Sequence, residues 1–102
     1  MSLRSLIVAS AFISAFSGIS GAAAAPENFS PNIDRPGNDM RNVPINNAQA
    51  CLNLCNRDRN CRAWTFVRPG IQGPSARCWL KDVIPPAVAN RCCTSGVIRR
   101  NL

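Results

Sequence analysis

The chain has 102 residues, carries twelve lysines and arginines against five aspartates and glutamates, and contains neither histidine nor tyrosine. This length allows one small domain, and the net charge of +7 indicates either a solvated surface that keeps the protein soluble or a preference for acidic partners. Without histidine the chain lacks the commonest general base and metal ligand, and its sequence places no nucleophile beside a base. We therefore expect a protein that is not an enzyme, with no catalytic residue, no metal and no cofactor.

The first 24 residues are typical of an export signal. Arg4 gives the start of the chain a positive charge, residues 6–19 form an apolar run, and residues 21–25 are all small. Ala22 and Ala24 fit cleavage after Ala24. An uncleaved membrane anchor is the alternative, although the run is short beside the ~20 residues that span a bilayer. We expect residues 1–24 to be a cleaved signal peptide and residues 25–102 one secreted or periplasmic domain, without a membrane span or a nucleic-acid partner.

The elements of this domain are predicted from residue patterns. Residues 26–44 are rich in Pro, Asn, Asp and Gly, which favours extended segments and turns, and Pro36-Gly37 suits a type II turn. A helix follows over about residues 47–57, with Asn46 as its N-cap and Gln49 in the capping-box position. Its apolar face is formed by residues at helical spacing: Ala48, Cys51, Leu52 and Cys55.

Beyond the helix the apolar residues recur with a period of two. This alternation predicts strands over residues 61–67 and 77–81, with a loop over 69–75 between them, and a short last strand over 93–98. If Cys61 and Cys78 both point towards the helix, the opposite sheet face is aromatic and basic. That face would contain Arg62, Trp64, Phe66, Arg68, Arg77, Trp79 and Lys81.

Six cysteines lie within residues 51–93, and an even number in a short exported chain indicates disulfides. Cys51 and Cys55 share one helical face and are poorly placed to bond each other. The economical pairing joins Cys55 to Cys61 and Cys51 to Cys78. A zinc site made of the same four cysteines is an alternative, but their spacing is not a standard knuckle. The adjacent Cys92 and Cys93 form a strained ring, bond a partner molecule, or remain thiols; the sequence leaves this open.

Several segments together resemble the bacterial branch of the PAN/Apple domain family. They are CLNLC at residues 51–55, CRAWTFV at 61–67, CWLK at 78–81, CCTSGV at 92–97 and NIDRPGND at 32–39, although Met40 replaces a common aromatic. The resemblance covers about residues 28–98. It implies an α+β fold, a curled antiparallel sheet of about five strands packed on one helix, and two helix-to-sheet disulfides that agree with the pairing above. Apple modules of animal proteins often have a further disulfide between the two ends of the domain, and this sequence has no cysteine before Cys51 to form it.

The resemblance also implies a non-catalytic module that binds a protein or a carbohydrate outside the cytoplasm. The aromatic and basic residues Arg62, Trp64, Phe66, Arg68, Arg77 and Trp79 form the candidate binding face, because indole rings stack on sugars and arginines grip acidic groups. The competing interpretation buries Trp64 and Trp79 in the core, beneath residues 29–44. A loop over residues 68–77 is a second candidate recognition edge. The alternative function is a cationic, disulfide-stapled effector or an inhibitor of a secreted enzyme. The sequence does not indicate the oligomeric state.

Overall fold

The computed structural model describes residues 26–100, so the predicted export signal lies outside the described residues. Within the described residues, five strands form one antiparallel sheet in the order β1-β5-β3-β4-β2, with a single helix packed on it. Within residues 26–100 no helix is long and apolar enough to cross a membrane. In chain order the elements are β1 (Ser30–Asp34), β2 (Asp39–Pro44), α1 (Ala48–Arg57), β3 (Ala63–Val67), β4 (Arg77–Lys81) and β5 (Val88–Val97). The predicted α+β class, the single helix and the five strands are confirmed.

The N-cap of helix α1 is one residue later than predicted. The side chain of Asn47, and not that of Asn46, accepts the backbone N–H of Ala50 at 2.8 Å. Gln49 does not close a capping box, because the position three residues after Asn47 is Ala50, and the side-chain amide of Gln49 donates to Asn53 one turn further along the helix. An asparagine side chain caps a helix only from the residue whose backbone is still extended, and that residue is Asn47.

The strands match the alternation in β4 and depart from it in β3 and β5. Cys61 lies ahead of β3, in a turn where its N–H donates to the carbonyl of Asp58 at 2.9 Å. Strand β5 begins at Val88, five residues before the predicted start at Cys93. Val88 and Ala89 pair with the end of β1, and this pairing extends β5 towards its N-terminus. The side chains of this part of the strand are all exposed, so they show no alternation from which it could be predicted.

The two N-terminal strands lie at opposite edges of the sheet. Strand β1 pairs with β5 and β2 pairs with β4, so the segment that joins them must cross from one edge to the other. Gly37 in this crossing has φ +94°, the left-handed value that the second central residue of a type II turn requires. The extended, turn-rich character predicted for residues 26–44 is confirmed.

Two disulfides fasten α1 to the sheet. Cys51 bonds Cys78 of β4, and Cys55 bonds Cys61 before β3, with Cα–Cα distances of 5.4 and 5.2 Å. All four of these cysteines are fully buried. We call these two bonds the clamp. The predicted helix-to-sheet pairing is confirmed, and its bonds cross the centre of the hydrophobic core.

The predicted assignment of the sheet faces is wrong for β3. Strands β3 and β4 pair with Phe66 opposite Cys78 and Trp64 opposite Leu80, and directly opposed residues in an antiparallel pair share a face. Since Cys78 reaches the helix, Trp64 and Phe66 face the helix as well, and both lie in its core cluster. Thr65 opposes Trp79 on the other face. The prediction took Cys61 as the first residue of the strand and counted the alternation from it. Cys61 precedes β3, so its direction does not determine which face the strand residues occupy.

Candidate functional site

A cleft of about 350 Å³ lies on the sheet face that points away from the helix. Its floor consists of two residues from each central strand, Thr65 and Val67 of β3 and Trp79 and Lys81 of β4. Three chain segments supply its walls: the β1–β2 turn, the β3–β4 loop and the first half of β5. The wall residues are Asp34, Pro36, Gly37, Asp39, Ile71, Gln72, Asn90, Cys92 and Cys93.

Trp79 is the aromatic surface of this cleft. Its side chain is half-buried in β4, and its indole Nε1 donates to the Oε1 of Gln72 at 2.8 Å. Gln72 belongs to the β3–β4 loop, whose tip is closed by a bond from the N–H of Gly70 to the carbonyl of Gly73. Since the ring is held by this loop and by its own strand, it presents an oriented aromatic surface to the cleft.

Lys81 closes one end of the cleft and is not free to bind a ligand. Only 2% of the residue is exposed, and its ammonium ion-pairs with the carboxylate of Asp39. The same ammonium donates to the carbonyl of Gly37 at 3.1 Å. A buried lysine must be paired because removing its charge from water is costly. Lys81 therefore fixes the β1–β2 turn above the floor, which is a structural role.

The other end of the cleft is formed by the adjacent cysteines of β5. Cys92 and Cys93 are bonded to each other, which answers the question that the sequence left open. The N–H of Cys92 donates to the side chain of Asn90 at 2.9 Å, and its carbonyl accepts the N–H of Arg68 at 3.2 Å. Cys93 pairs with Val67 in the sheet. These bonds hold the cysteine pair in the wall of the cleft, beside the C-terminal end of β3.

Polar groups of the cleft retain some unused hydrogen-bonding capacity. The hydroxyl Oγ1 of Thr65 is buried and has no partner among residues 26–100. Asp34, at the end of β1, is half-buried, and its carboxylate lies within 4.8 Å of the sulfurs of Cys92 and Cys93. The cleft thus combines one aromatic surface with hydroxyl, amide and carboxylate groups, which is the composition of a site for a polar ligand.

The six residues predicted to form one binding face are divided by the structure. Trp79 lines the cleft, and Arg68 is exposed next to Cys92. Arg77 shares the cleft face of the sheet, but it is half-buried and its guanidinium donates to Asn42. Arg62 is exposed ahead of β3 and is not among the lining residues.

The two remaining aromatic residues belong to the core. Trp64 is fully buried and Phe66 is 9% exposed. The ring of Phe29 covers Trp64, with the two ring centroids 5.8 Å apart. The interpretation that the N-terminal segment buries Trp64 is therefore confirmed, and its assignment to an open ligand-binding face is wrong. The half-buried Trp79 is open to the cleft.

Exposed arginines flank the cleft near its cysteine end. Arg91 lies between two lining residues, Asn90 and Cys92, and Arg68 is bonded through its backbone to Cys92. Both side chains are exposed, and neither has an ion pair among residues 26–100. The residues of the cleft include the carboxylates of Asp34 and Asp39, and the one floor cation, Lys81, is paired with Asp39. The unpaired positive charge of Arg68 and Arg91 therefore lies at the margin of the cleft.

Most of the cleft could not be predicted from the sequence, because it depends on how the strands pair. Alternation shows which residues of one strand share a face. To decide which residues of two neighbouring strands share a face, their register is needed, and the sequence does not give it. The loop over residues 68–77 was a usable signal, because it contains Ile71 and Gln72. The walls formed by Asp34 and Asn90 depend on the pairing of β1 with β5, which no local sequence pattern indicates.

The architecture and the clamp define a class: a small α+β domain in which disulfides staple one helix to a five-stranded antiparallel sheet. The family model described as "PAN domain" matches residues 33–81, the part that contains β2, α1, β3, β4 and the whole clamp. This match supports a PAN/Apple-like domain over that part of the chain. Domains of this family bind proteins or carbohydrates and are generally non-catalytic. No curated protein and no solved structure matches the chain.

Proposed function

We propose that this protein is a non-catalytic, exported binding module that recognises a carbohydrate or protein partner with acidic groups through the cleft around Trp79. The observation that carries the proposal is the half-buried indole of Trp79 among polar neighbours in a cleft of about 350 Å³. A pocket of a few hundred cubic ångströms with one flat aromatic surface and a few polar groups suits one or two sugar rings or a short peptide segment.

Acidic groups on the partner are supported by the charge around the cleft. Arg68 and Arg91 are exposed at its margin, and guanidinium groups bind carboxylates and sulfates through two parallel hydrogen bonds. Removing residues 1–24 would take away only Arg4, leaving eleven basic residues against five acidic ones. This balance attracts acidic partners over a distance, whereas the cleft itself selects among them.

Export is supported by the disulfides as well as by the predicted signal peptide. All six cysteines are paired, and such bonds persist in secreted and periplasmic compartments. We accordingly propose that residues 1–24 are cleaved and that residues 25–102 function as one domain outside the cytoplasm.

The proposal is tested by comparing the purified domain with its Trp79→Ala variant on an array of neutral and acidic glycans and in pull-downs from the extracytoplasmic fraction. We expect a defined set of ligands for which Trp79→Ala lowers the affinity at least tenfold, since truncating a tryptophan that anchors an interface commonly costs about 2 kcal/mol or more. Circular dichroism and thermal melting check that the variant is folded. A ligand bound equally by both proteins would place the binding site elsewhere.

The contribution of charge is tested with a matched pair of arginine variants. Arg68 is at the cleft margin, whereas Arg59 is exposed in the turn after α1 and is outside the cleft. Arg68→Gln should weaken binding of acidic ligands severalfold, and Arg59→Gln should leave it unchanged. Equal, graded weakening by both substitutions on every anionic surface would contradict the proposal and indicate the cationic effector instead.

A further inference from the structure

The three disulfides differ in their access to solvent. The four cysteines of the clamp are fully buried between α1 and the sheet. Cys92, in contrast, is half-buried and lines the open cleft together with Cys93, which is 5% exposed. Because thiol–disulfide exchange requires a thiolate to reach a sulfur, a reductant in solution meets the Cys92–Cys93 bond first.

Asp34 adds an oxygen donor to these two sulfurs. One carboxylate oxygen of Asp34 and the sulfurs of Cys92 and Cys93 all lie within 4.8 Å of one another. Two thiolates bound to one zinc ion, each at about 2.3 Å, lie roughly 3.8 Å apart, and a carboxylate oxygen joins them at about 2.0–2.2 Å from the metal. In the oxidised protein the two sulfurs are closer together than this, because they are bonded to each other. Once that bond is broken, rotation of the two side chains can separate the sulfurs, and the Asp34 oxygen is near enough to bind the same cation.

The surroundings hold the donors in place without using the sulfurs. Asn90 accepts the N–H of Cys92, and the N–H of Arg68 reaches the Cys92 carbonyl, so the backbone of the pair is fixed on both sides. Asp34 is fixed by the pairing of β1 with Val88 of β5. Among residues 26–100, its carboxylate has no ion pair that a cation would have to break. The cleft supplies the entry path.

We propose that Cys92, Cys93 and Asp34 form a redox-gated site that binds one thiophilic divalent cation, of the class of Zn²⁺ or Cd²⁺, when the Cys92–Cys93 bond is reduced. An external dithiol supplies both electrons and both protons: its two thiols become a disulfide, and Cys92 and Cys93 become thiols. The cation then displaces the two thiol protons and binds both thiolates and the carboxylate of Asp34. In the oxidised protein the sulfurs are bonded to each other and the site is closed.

The donor set favours soft cations. Thiolates select zinc and softer metals over Mg²⁺ and Ca²⁺, which prefer oxygen ligands. Three protein ligands facing an open cleft leave a fourth position for water or for a ligand in the cleft. This site is independent of the proposed carbohydrate or protein binding, because its cation is recognised by the sulfurs and Asp34 and not by Trp79.

The first part of the test is selective reduction of the folded protein. A limiting amount of a small dithiol is added without denaturant, free thiols are alkylated, and the labelled cysteines are mapped by mass spectrometry. We expect two labels, on Cys92 and Cys93, while circular dichroism remains unchanged and the clamp stays oxidised. Labelling of the clamp cysteines at the same dithiol concentration, or no labelling before unfolding, would overturn the proposal.

The second part is a titration of the selectively reduced protein, freed of dithiol, with Cd²⁺. Thiolate ligation produces an ultraviolet sulfur-to-cadmium charge-transfer band, which we expect to saturate at one Cd²⁺ per chain. The oxidised protein should show no band. Asp34→Asn should lower the affinity at least tenfold, because even loss of an outer partner of a metal ligand commonly costs about 10–100-fold.

Two matched variants complete the test. Asp82→Asn alters an exposed carboxylate outside the cleft and should leave the Cd²⁺ affinity unchanged. Cys92→Ser should abolish the saturable charge-transfer band after the same reduction. Equal affinities for the reduced wild-type protein and Asp34→Asn would remove Asp34 from the site, and a band in the oxidised protein would place the cation elsewhere; either result contradicts the proposal.

Discussion

The two faces of one sheet differ in how far they are closed to solvent. The face that meets α1 contains Trp64, Phe66 and Leu80 and is crossed by the clamp, and nearly all of it is closed to solvent. The opposite face presents Trp79 in an open cleft, with a disulfide in the wall and not in the floor. A domain of this size has too little core to be stable on burial alone, so cross-links on one face leave the other available for binding.

Tryptophan substitutions should separate the faces most strongly. Trp64→Ala removes a fully buried indole and should lower the free energy of unfolding by about 3–5 kcal/mol. Trp79→Ala removes a half-buried ring at the cleft, and we expect a loss of about 1 kcal/mol. Urea denaturation with the disulfides intact measures both. Comparable losses from the two substitutions would contradict the assignment of faces.

The disulfides should show the same division. Replacing Cys51 and Cys78 together opens a loop across 27 positions, and the chain-entropy model gives a loss of about 3.6 kcal/mol. The double substitution of Cys92 and Cys93 by Ser opens no loop beyond adjacent residues, so the chain-entropy contribution is small. Denaturation midpoints of the two double variants provide the comparison. A larger loss from the Cys92 and Cys93 substitutions would reverse it.

Gly96 tests how closely the N-terminal segment covers the core face. A Cβ atom on Gly96 would lie 2.5 Å from the carbonyl carbon of Asn28 and 2.7 Å from the Nε1 of Trp64. Backbone at this distance must move, so Gly96→Ala should destabilise the domain by about 1–3 kcal/mol. Thermal melting measures the effect. Gly73→Ala is unsuitable as a control because of its positive φ, whereas Ser75→Ala, in the exposed β3–β4 loop, should have little effect.

The smallest effect concerns an ion pair outside both faces. A two-point hydrogen bond from Arg99 holds the pKa of Glu27 below its ordinary value of 4.5. The carboxylate therefore contributes stability above pH 4.5, and this contribution disappears as the pH falls through the lowered pKa. Unfolding measured between pH 7 and 3 should show a small difference between wild-type protein and Glu27→Gln that vanishes in acid and in high salt. A difference that grows in acid would contradict this sign.

The clamp could be predicted from sequence because two strong local patterns constrained it. Helical spacing placed Cys51 and Cys55 on one face and left them to bond elsewhere, and the resemblance to a known family gave the same pairing. Helix α1 and strand β4 were predicted to within a residue or two for the same reason. Each prediction depended on periodicity within one element, which the sequence records directly.

The cleft could not be predicted because it depends on the register between β3 and β4 and on the pairing of β1 with β5. Trp79 was named from the sequence, but Trp64 was placed beside it on the wrong side of the sheet. The lining residues Asp34 and Asn90 lie in one cleft only because β1 pairs with β5, a strand far from it in the sequence. The residue types at these two positions do not indicate such a long-range pairing. The disulfide of Cys92 and Cys93 likewise had three interpretations that only the fold separates.

Collisional quenching of tryptophan fluorescence tests the division between the two faces most directly, and it requires no ligand. In Trp79→Phe, Trp64 is the remaining tryptophan of the chain. Its emission should be almost insensitive to acrylamide, because Trp64 is fully buried, whereas the wild-type protein should lose the part of its emission that comes from Trp79. Equal quenching of the folded variant and the wild-type protein would show that Trp64 is exposed and would contradict the account.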